Sequence, residues 1–144
     1  MPGRKIPAYV DTGLNIAHVD DVAWGHLLAL EKGGIGERYI LGGEDMSLKI
    51  IFGLICKIGL RKSPKINIPH NLILPIARFI EICADFTGLE PLATVDGIKM
   101  AKKYMFFSSE KAKKNLGCQS RPGKEAIADA ISWFVTNSYC KIEK

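Results

Sequence analysis

Residues 15–30 read NIAHVDDVAWGHLLAL, and the fold turns on how this stretch is read. Two histidines and two aspartates fall within nine positions, which raises metal or acid–base chemistry. Residues 15–19 are β-branched and apolar, with polar residues entering at alternate positions, the pattern of a buried strand. Asp20 then falls at a helix N-cap position. Asp21 falls in the first turn, where negative charge meets the positive end of the helix dipole. Val19 before the cap and Trp24 after it have the spacing of a hydrophobic staple. Leu27, Leu28 and Leu30 continue the apolar face, and Lys32-Gly33-Gly34 stops the helix on glycine. A metal site would need His18 and Asp20 on one strand face plus ligands from elsewhere, and His26 faces away from both. The stretch is a strand-to-helix joint.

The alternation continues outward. ERYILGG (37–43) reads as a second buried strand, over 38–42, ended by two glycines. Ser47 caps a helix over 48–60 that is apolar on more than one face, and PKINIP (64–69) is a short strand closed by proline. A long helix follows from His70 to about Phe86, with Pro75 near its start, where a missing N–H costs least. Thr94 begins a helix running to about Tyr104, and Met105-Phe106-Phe107 is an extended link. Ser108 caps a brief helix ended by Gly117. Pro122 and Gly123 precede a last helix with Ile127, Ile131, Phe134 and Val135 on one face. Three strands and six helices make the class α/β. The strands at 15–19 and 38–42, joined by a helical crossover, are expected to lie parallel, with 64–69 apart. So small a parallel sheet lacks neighbours, and the helices are too apolar for it. The chain reads as a single partial domain of a larger fold.

Composition limits the functions open to it. The chain has 144 residues, 47% hydrophobic and 24% charged, enough for one domain with a core. No run of about 20 uncharged apolar residues is present to span a membrane, and the first residues lack a signal-peptide layout. Cys56, Cys83, Cys118 and Cys140 are scattered, so buried free thiols in a reducing cytoplasm are the simplest reading. The net charge is +5, with Lys99, Lys102, Lys103, Lys111, Lys113, Lys114, Arg121 and Lys124 concentrated in one region. The aromatics there are packed into YMFF instead of being interleaved as stacking platforms. Solvated helix faces are therefore preferred to a nucleic-acid surface.

Two long segments carry a resemblance. PAYVDTGLNIAHVDDVAWGHLLALEKGGIGERYILGGEDMSLKIIF (7–52) resembles the C-terminal half of an extended short-chain dehydrogenase/reductase. Within that group it is similar to the NAD-dependent epimerase/dehydratase family and its dihydroflavonol-4-reductase-like, hopanoid-associated sugar epimerase branch. The ending KMAKKYMFFSSEKAKKNLGCQSRPGKEAIADAISWF (99–134) resembles the family's close, in which a serine-capped helix ends in Leu-Gly and a final helix carries Trp-Phe. The match runs in one register from about Gly3 to Tyr139. It implies late strands of an NAD(P)-binding Rossmann-type fold together with a mostly helical substrate-binding region.

The resemblance also implies machinery that has no counterpart here. The family's glycine-rich strand-to-helix loop and its Tyr-x-x-x-Lys pair belong to an N-terminal cofactor-binding half. GGIG (33–36) follows a helix, so it is a stop signal and no phosphate cradle. LGGEDMS (41–47) follows a strand, but its acidic pair would repel phosphate. None of Tyr9, Tyr39, Tyr104 or Tyr139 has lysine four positions later. NAD or NADP serves the parent family, and no cofactor is expected for this chain alone; no residue is assigned a catalytic role.

The family's nucleotide-sugar members place arginine just before the HV strand. No arginine lies between Arg4 and Arg38 here, which favours the reductase-like branch. The substrate-contact candidates are Tyr9, Asn15, His18 and Lys102, weighed against surface-loop roles for Tyr9 and Asn15, a backbone-bonded strand histidine for His18 and a solvated lysine for Lys102. The expected partners are a sugar- or flavonoid-like small molecule, the missing cofactor half and further copies of the chain. Neither nucleic acid nor a membrane is expected. The alternative function is a non-catalytic interaction module derived from the same fold.

Overall fold

A computed structural model of the 144-residue chain describes residues 8–60, 63–87 and 94–140. Its elements run β1 (Ala8–Tyr9), β2 (Gly13–Ile16), α1 (Val19–Lys32), β3 (Glu44–Ser47), α2 (Leu48–Ile58), β4 (Ile66–Asn67), α3 (His70–Thr87), α4 (Val95–Ala101), α5 (Glu110–Leu116) and α6 (Gly123–Thr136).

The α/β class and the helix series match the reading of the sequence, but the strand pairing does not. No parallel pair joins 15–19 to 38–42. Instead β2 runs antiparallel to β3, with Gly13 opposite Ser47, Leu14 opposite Met46, Asn15 opposite Asp45 and Ile16 opposite Glu44. The cause is local. A Cβ at Gly43 would lie 1.9 Å from the Ile16 carbonyl oxygen, so only glycine lets the chain approach β2 there. The ladder therefore starts beyond the glycines. Segment 64–69 is not apart either: β4 pairs in parallel with β1, Ala8 opposite Ile66 and Tyr9 opposite Asn67. The YMFF link lies against β2 through a parallel bridge from Met105 to Leu14.

The joint also forms one step earlier than expected. Helix α1 begins at Val19 and its N-cap is His18, whose side chain accepts from the Asp20 N–H. With the cap moved, Val19 and Trp24 no longer hold staple positions, and both are exposed (75% and 61%). The new staple positions are Ala17 and Val22, which line one small cavity. The apolar residues of α1 divide between two faces. Gly25 and Leu28 are buried, whereas Leu27 and Leu30 are 51% and 85% exposed and do not extend the core.

Among the described residues the buried apolar side chains form three small clusters. Leu28, Ala112 and Leu116 join α1 to α5, with Tyr39 and Leu41 packed alongside. Met46, Ile51 and Ile127 join β3, α2 and α6. Ala77, Val95 and Ile98 join α3 to α4, a contact fastened by the Val95 N–H donating to Glu81 Oε1 at 2.8 Å.

Helix ends follow their capping chemistry. The Ser47 hydroxyl accepts from the Ile50 N–H, and Gly117 closes α5 at φ +75°. Ser109 stands at the α5 cap position without a side-chain cap bond, while the neighbouring Ser108 Oγ accepts from the Glu110 N–H. Helix α6 ends in a Schellman turn: the Tyr139 N–H reaches the Phe134 carbonyl and the Ser138 N–H reaches that of Val135. Ser138 takes the left-handed position at φ 62°. Tyr139 stacks on Trp133 at 5.6 Å, giving the turn its apolar contact.

Cys56 and Cys118 are free and half-buried, and Cys140 is free and exposed, so full burial of the thiols is not found. The Cys83 side chain lies outside the described residues. Among the described residues no helix is long and apolar enough to cross a membrane.

Candidate functional site

The polar groups of greatest interest meet where β2 hands over to α1. His18, only 5% exposed, is sandwiched between two contacts. Its Nδ1 accepts from the Asp20 backbone N–H at 3.1 Å, and Nε2 lies 2.9 Å from Asp129 Oδ2 on α6. An accepting Nδ1 leaves the proton of a neutral imidazole on Nε2, which then donates to Asp129. The side chain thus caps one helix while tying it to another.

Beside it, Asp21 receives Arg121 from the loop before α6. The Arg121 backbone N–H donates to Asp21 Oδ2 and its Nε–H to Oδ1, both at 2.7 Å. A longer contact at 3.5 Å joins the guanidinium to Asp20. The hydrogen bond from Arg121, opposed by partial burial and helped by the Arg121 backbone N–H and charge, holds the Asp21 carboxyl below its usual range. Asp21 in turn raises Arg121. An open concavity of about 620 Å³ lies above this pair, lined by Trp24, Gly117, Gln119, Ser120 and the three charged residues.

Asn15 closes the other side of the joint. Its Oδ1 accepts from the Gly43 N–H at 2.8 Å, and its Nδ2 donates to Asp45 Oδ1 at 2.6 Å. Both ends of the amide are therefore engaged in holding β2 to β3. Tyr9 lies edge-on to Phe52 of α2, with ring centroids 6.3 Å apart. Lys102 is exposed at the C-cap of α4. Among the described residues no hydrogen bond, ion pair or ring contact joins any two of these four candidates. His26, the second histidine of the opening stretch, bonds the Val22 carbonyl of its own helix.

Asp129 and Arg121 were not legible as partners of the joint. They lie 111 and 100 positions from His18 and Asp21, and neither stands in a motif that marks the contact.

Several of the clustered lysines are paired locally. Lys99 meets Asp96 and Lys113 meets Glu110. Lys111 meets Glu37 and also covers the Tyr39 ring at 5.0 Å. Tyr104 and Phe106 cover Gly13, where a Cβ would fall 2.4 Å from the Phe106 ring, and the Tyr104 hydroxyl donates to Asp11. Among the described residues no group of three or more His, Cys, Asp or Glu is arranged to hold a metal ion.

Comparison with known proteins gives this geometry a context. No protein-family model matches the chain. It is 40% identical to a Synechocystis protein described as "Putative dihydroflavonol 4-reductase", across 97% of the chain and 42% of that protein. It is 26% identical to the sterol demethylase protein B of Methylococcus capsulatus, across 90% of the chain and 40% of that protein.

Among solved structures, gox2253 superimposes with a TM-score of 0.75 at 49% identity, covering 94% of the chain and 41% of gox2253. A nucleoside-diphosphate-sugar epimerase from Pseudomonas aeruginosa superimposes with a TM-score of 0.71 at 26% identity, covering 94% of the chain and 40% of the epimerase. The chain thus spans about two fifths of the length of each relative. It is homologous to a C-terminal portion of reductase- and epimerase-type proteins with a Rossmann-like fold.

Proposed function

We propose that this chain is the substrate-side portion of an NAD(P)-dependent reductase or epimerase of the dihydroflavonol-4-reductase-like kind. The observation that carries the proposal is the 40% identity to the Synechocystis protein, sustained over 97% of this chain but only 42% of the relative. Dinucleotide binding in a Rossmann fold needs a glycine-rich turn that delivers pyrophosphate to a helix N-terminus. The sequence holds no such turn between a strand and a helix, and no Tyr-x-x-x-Lys pair for proton transfer. Cofactor and chemistry are therefore assigned to the polypeptide corresponding to the rest of the relatives' length, with this chain as one partial domain operating in the reducing cytoplasm.

Within that role the candidate residues divide. Tyr9 and Lys102 are the proposed contacts to a sugar- or flavonoid-like substrate; no other described residue pairs with the Lys102 ammonium. Asn15 and His18 support the pocket by fixing the joint, because their polar atoms are already committed.

The test is calorimetric titration of the chain with NADH and NADPH, then an activity screen with and without the portion of the Synechocystis relative that this chain does not cover. The expected result is no cofactor heat from the chain alone and reductase or epimerase turnover only in the mixture. Tight cofactor binding by the chain alone would overturn the assignment. The exposed apolar residues of α1 also suit a non-catalytic docking module. A mixture that associates and binds NADPH but turns nothing over would favour that second reading.

A further inference from the structure

The concavity at the start of α1 has two walls that are fixed to each other. Asp20 and Trp24 stand about one helical turn apart on one face of α1. Gln119 and Ser120 line the same space from the loop before α6. Arg121 ties that loop to the helix, donating its backbone N–H and its Nε–H to Asp21, both at 2.7 Å. The opening of about 620 Å³ is therefore preorganised, and a ligand entering it has no loop to order.

Most of its bonding groups are unspent. The Trp24 indole N–H, the Gln119 amide and the Ser120 hydroxyl bond no other described residue. Asp20 turns Oδ2 toward Arg121 and His18, and its Oδ1 likewise bonds no described residue. The two tryptophans of the chain differ in the same way. Trp133 is as exposed as Trp24 but is stacked on Tyr139 and edge-on to Phe134. Trp24 has no ring partner among the described residues.

The chemistry of the lining selects the ligand class. Asp20 and Asp21 beside a single guanidinium repel phosphate and carboxylate groups. A cation meets Arg121 at the same site, and one aromatic face does not enclose an ammonium. A wholly apolar ring would strip water from Asp20, Gln119 and Ser120 without replacing its hydrogen bonds. An uncharged ring with an apolar face and a polar edge meets all three conditions. We propose that this concavity binds an uncharged saccharide ring, stacked on Trp24 with its hydroxyls bonded to Asp20 Oδ1, Gln119 and Ser120. Neither Tyr9 nor Lys102, the proposed substrate contacts, lines it, so the two assignments stand or fall separately.

The experiment titrates the 144-residue chain with the methyl glycosides of glucose, galactose and mannose. Glucose 1-phosphate and tetramethylammonium are run in parallel as an anion and a cation of comparable reach. Nuclear magnetic resonance follows the two indole N–H signals, from Trp24 and Trp133, and the backbone amides of Gln119 and Ser120. Trp24→Phe assigns the indole signals and keeps a smaller stacking face. Trp24→Ala removes that face, Ser120→Ala removes one hydroxyl, and Trp133→Phe is the control.

At least one glycoside should shift the Trp24 indole and the amides of residues 119 and 120 saturably, while the Trp133 indole stays in place. Trp24→Ala should weaken binding about tenfold, Ser120→Ala about threefold, and Trp133→Phe not at all. Trp24 is exposed, so Trp24→Ala should keep the wild-type Tm; if it does not, Trp24→Phe and Ser120→Ala carry the test. No saturable shift with any glycoside at about 100 mM would overturn the proposal. Equal shifts at Trp133, or unaltered affinity in the folded Trp24 and Ser120 variants, would do the same. Tighter binding of tetramethylammonium or of glucose 1-phosphate would make this a cation or an anion site and overturn the saccharide assignment.

Discussion

Two neighbouring parts of the molecule handle their polar groups in opposite ways. At the start of α1 every charged or polar side chain is answered. His18 meets Asp20 and Asp129, Asp21 meets Arg121, and Asn15 meets Gly43 and Asp45. Some twenty residues on, Arg38–Gly42 keeps one face on the core and leaves its peptide groups unanswered among the described residues. A cluster of histidine and aspartate looks functional in the sequence, and here it is mostly internal fastening. In the unremarkable YILG, by contrast, the peptide groups bond no other described residue. Residue chemistry alone does not mark a site; unmet bonding capacity is the better guide.

The largest expected effect tests the fastening at its tightest point. Gly43→Ala would push a Cβ onto the Ile16 carbonyl, so β3 must shift away from β2. We expect a loss of about 3 kcal/mol in denaturant unfolding. A loss below about 1 kcal/mol would mean that the close approach is easily relieved.

Next is His18. His18→Ala removes both the cap and the tie to Asp129 from a buried position, for about 2 kcal/mol. His18→Asn should recover part of this, because its amide oxygen can still accept from the Asp20 N–H. Asp20→Ala, in contrast, should cost only about 0.5 kcal/mol through the helix dipole, since the Asp20 side chain is not the cap. Equal losses at positions 18 and 20 would contradict the assignment of the cap.

Asp21 provides a pH signature for the same region. Its carboxyl is lowered in the folded chain, so over the interval between the two pKa values the unfolded chain binds more protons. The stabilisation is complete above the ordinary aspartate value of about 3.9 and is lost as pH falls through the lowered one. Arg121→Gln removes the cause. The Tm gap between wild type and variant should stay constant from about pH 7 to 5 and narrow below about pH 4. A gap independent of pH would show that Arg121 stabilises by packing alone.

The smallest effect is a gain. Ser138 holds a left-handed conformation at the end of α6, and Ser138→Gly should stabilise the chain by about 0.5 to 1 kcal/mol. No gain in thermal unfolding would mean that the Schellman turn frays.

These outcomes also show what the sequence could disclose. Helices were legible because their signals are local: Ser47 with the apolar run after it, Gly117 at a stop, and Ile127 and Ile131 on one face. The joint is legible as a joint, but its sequence points to Asp20 as the cap, where the structure has His18. A histidine that caps with Nδ1 lies outside the usual Ser, Thr, Asp and Asn preference. Strand pairing is not legible locally, because register depends on distant geometry. Gly42-Gly43 looks like the end of a strand, whereas the close approach at Gly43 makes it the entry to β3. Of the candidate contacts, Asn15 and His18 stand out in the sequence by their chemistry, but the neighbours they bond are visible only in three dimensions. The exposed second face of α1 was hidden because Leu27 and Leu30 look the same in sequence as the buried Leu28.

The central contrast is between a saturated joint and the peptide groups of residues 38–42, which bond no other described residue. Amide hydrogen exchange on the chain alone, at a dilution where sedimentation finds only monomer, tests it most directly. The account predicts slow exchange at Val22, whose N–H is bonded to the His18 carbonyl, and at Gly43, whose N–H is held by Asn15. It predicts exchange near the unprotected rate at residues 39–42 in the same molecule. Protection at 39–42 comparable to that at Val22 and Gly43 in the monomer would contradict it, because those peptide groups would already have their partners.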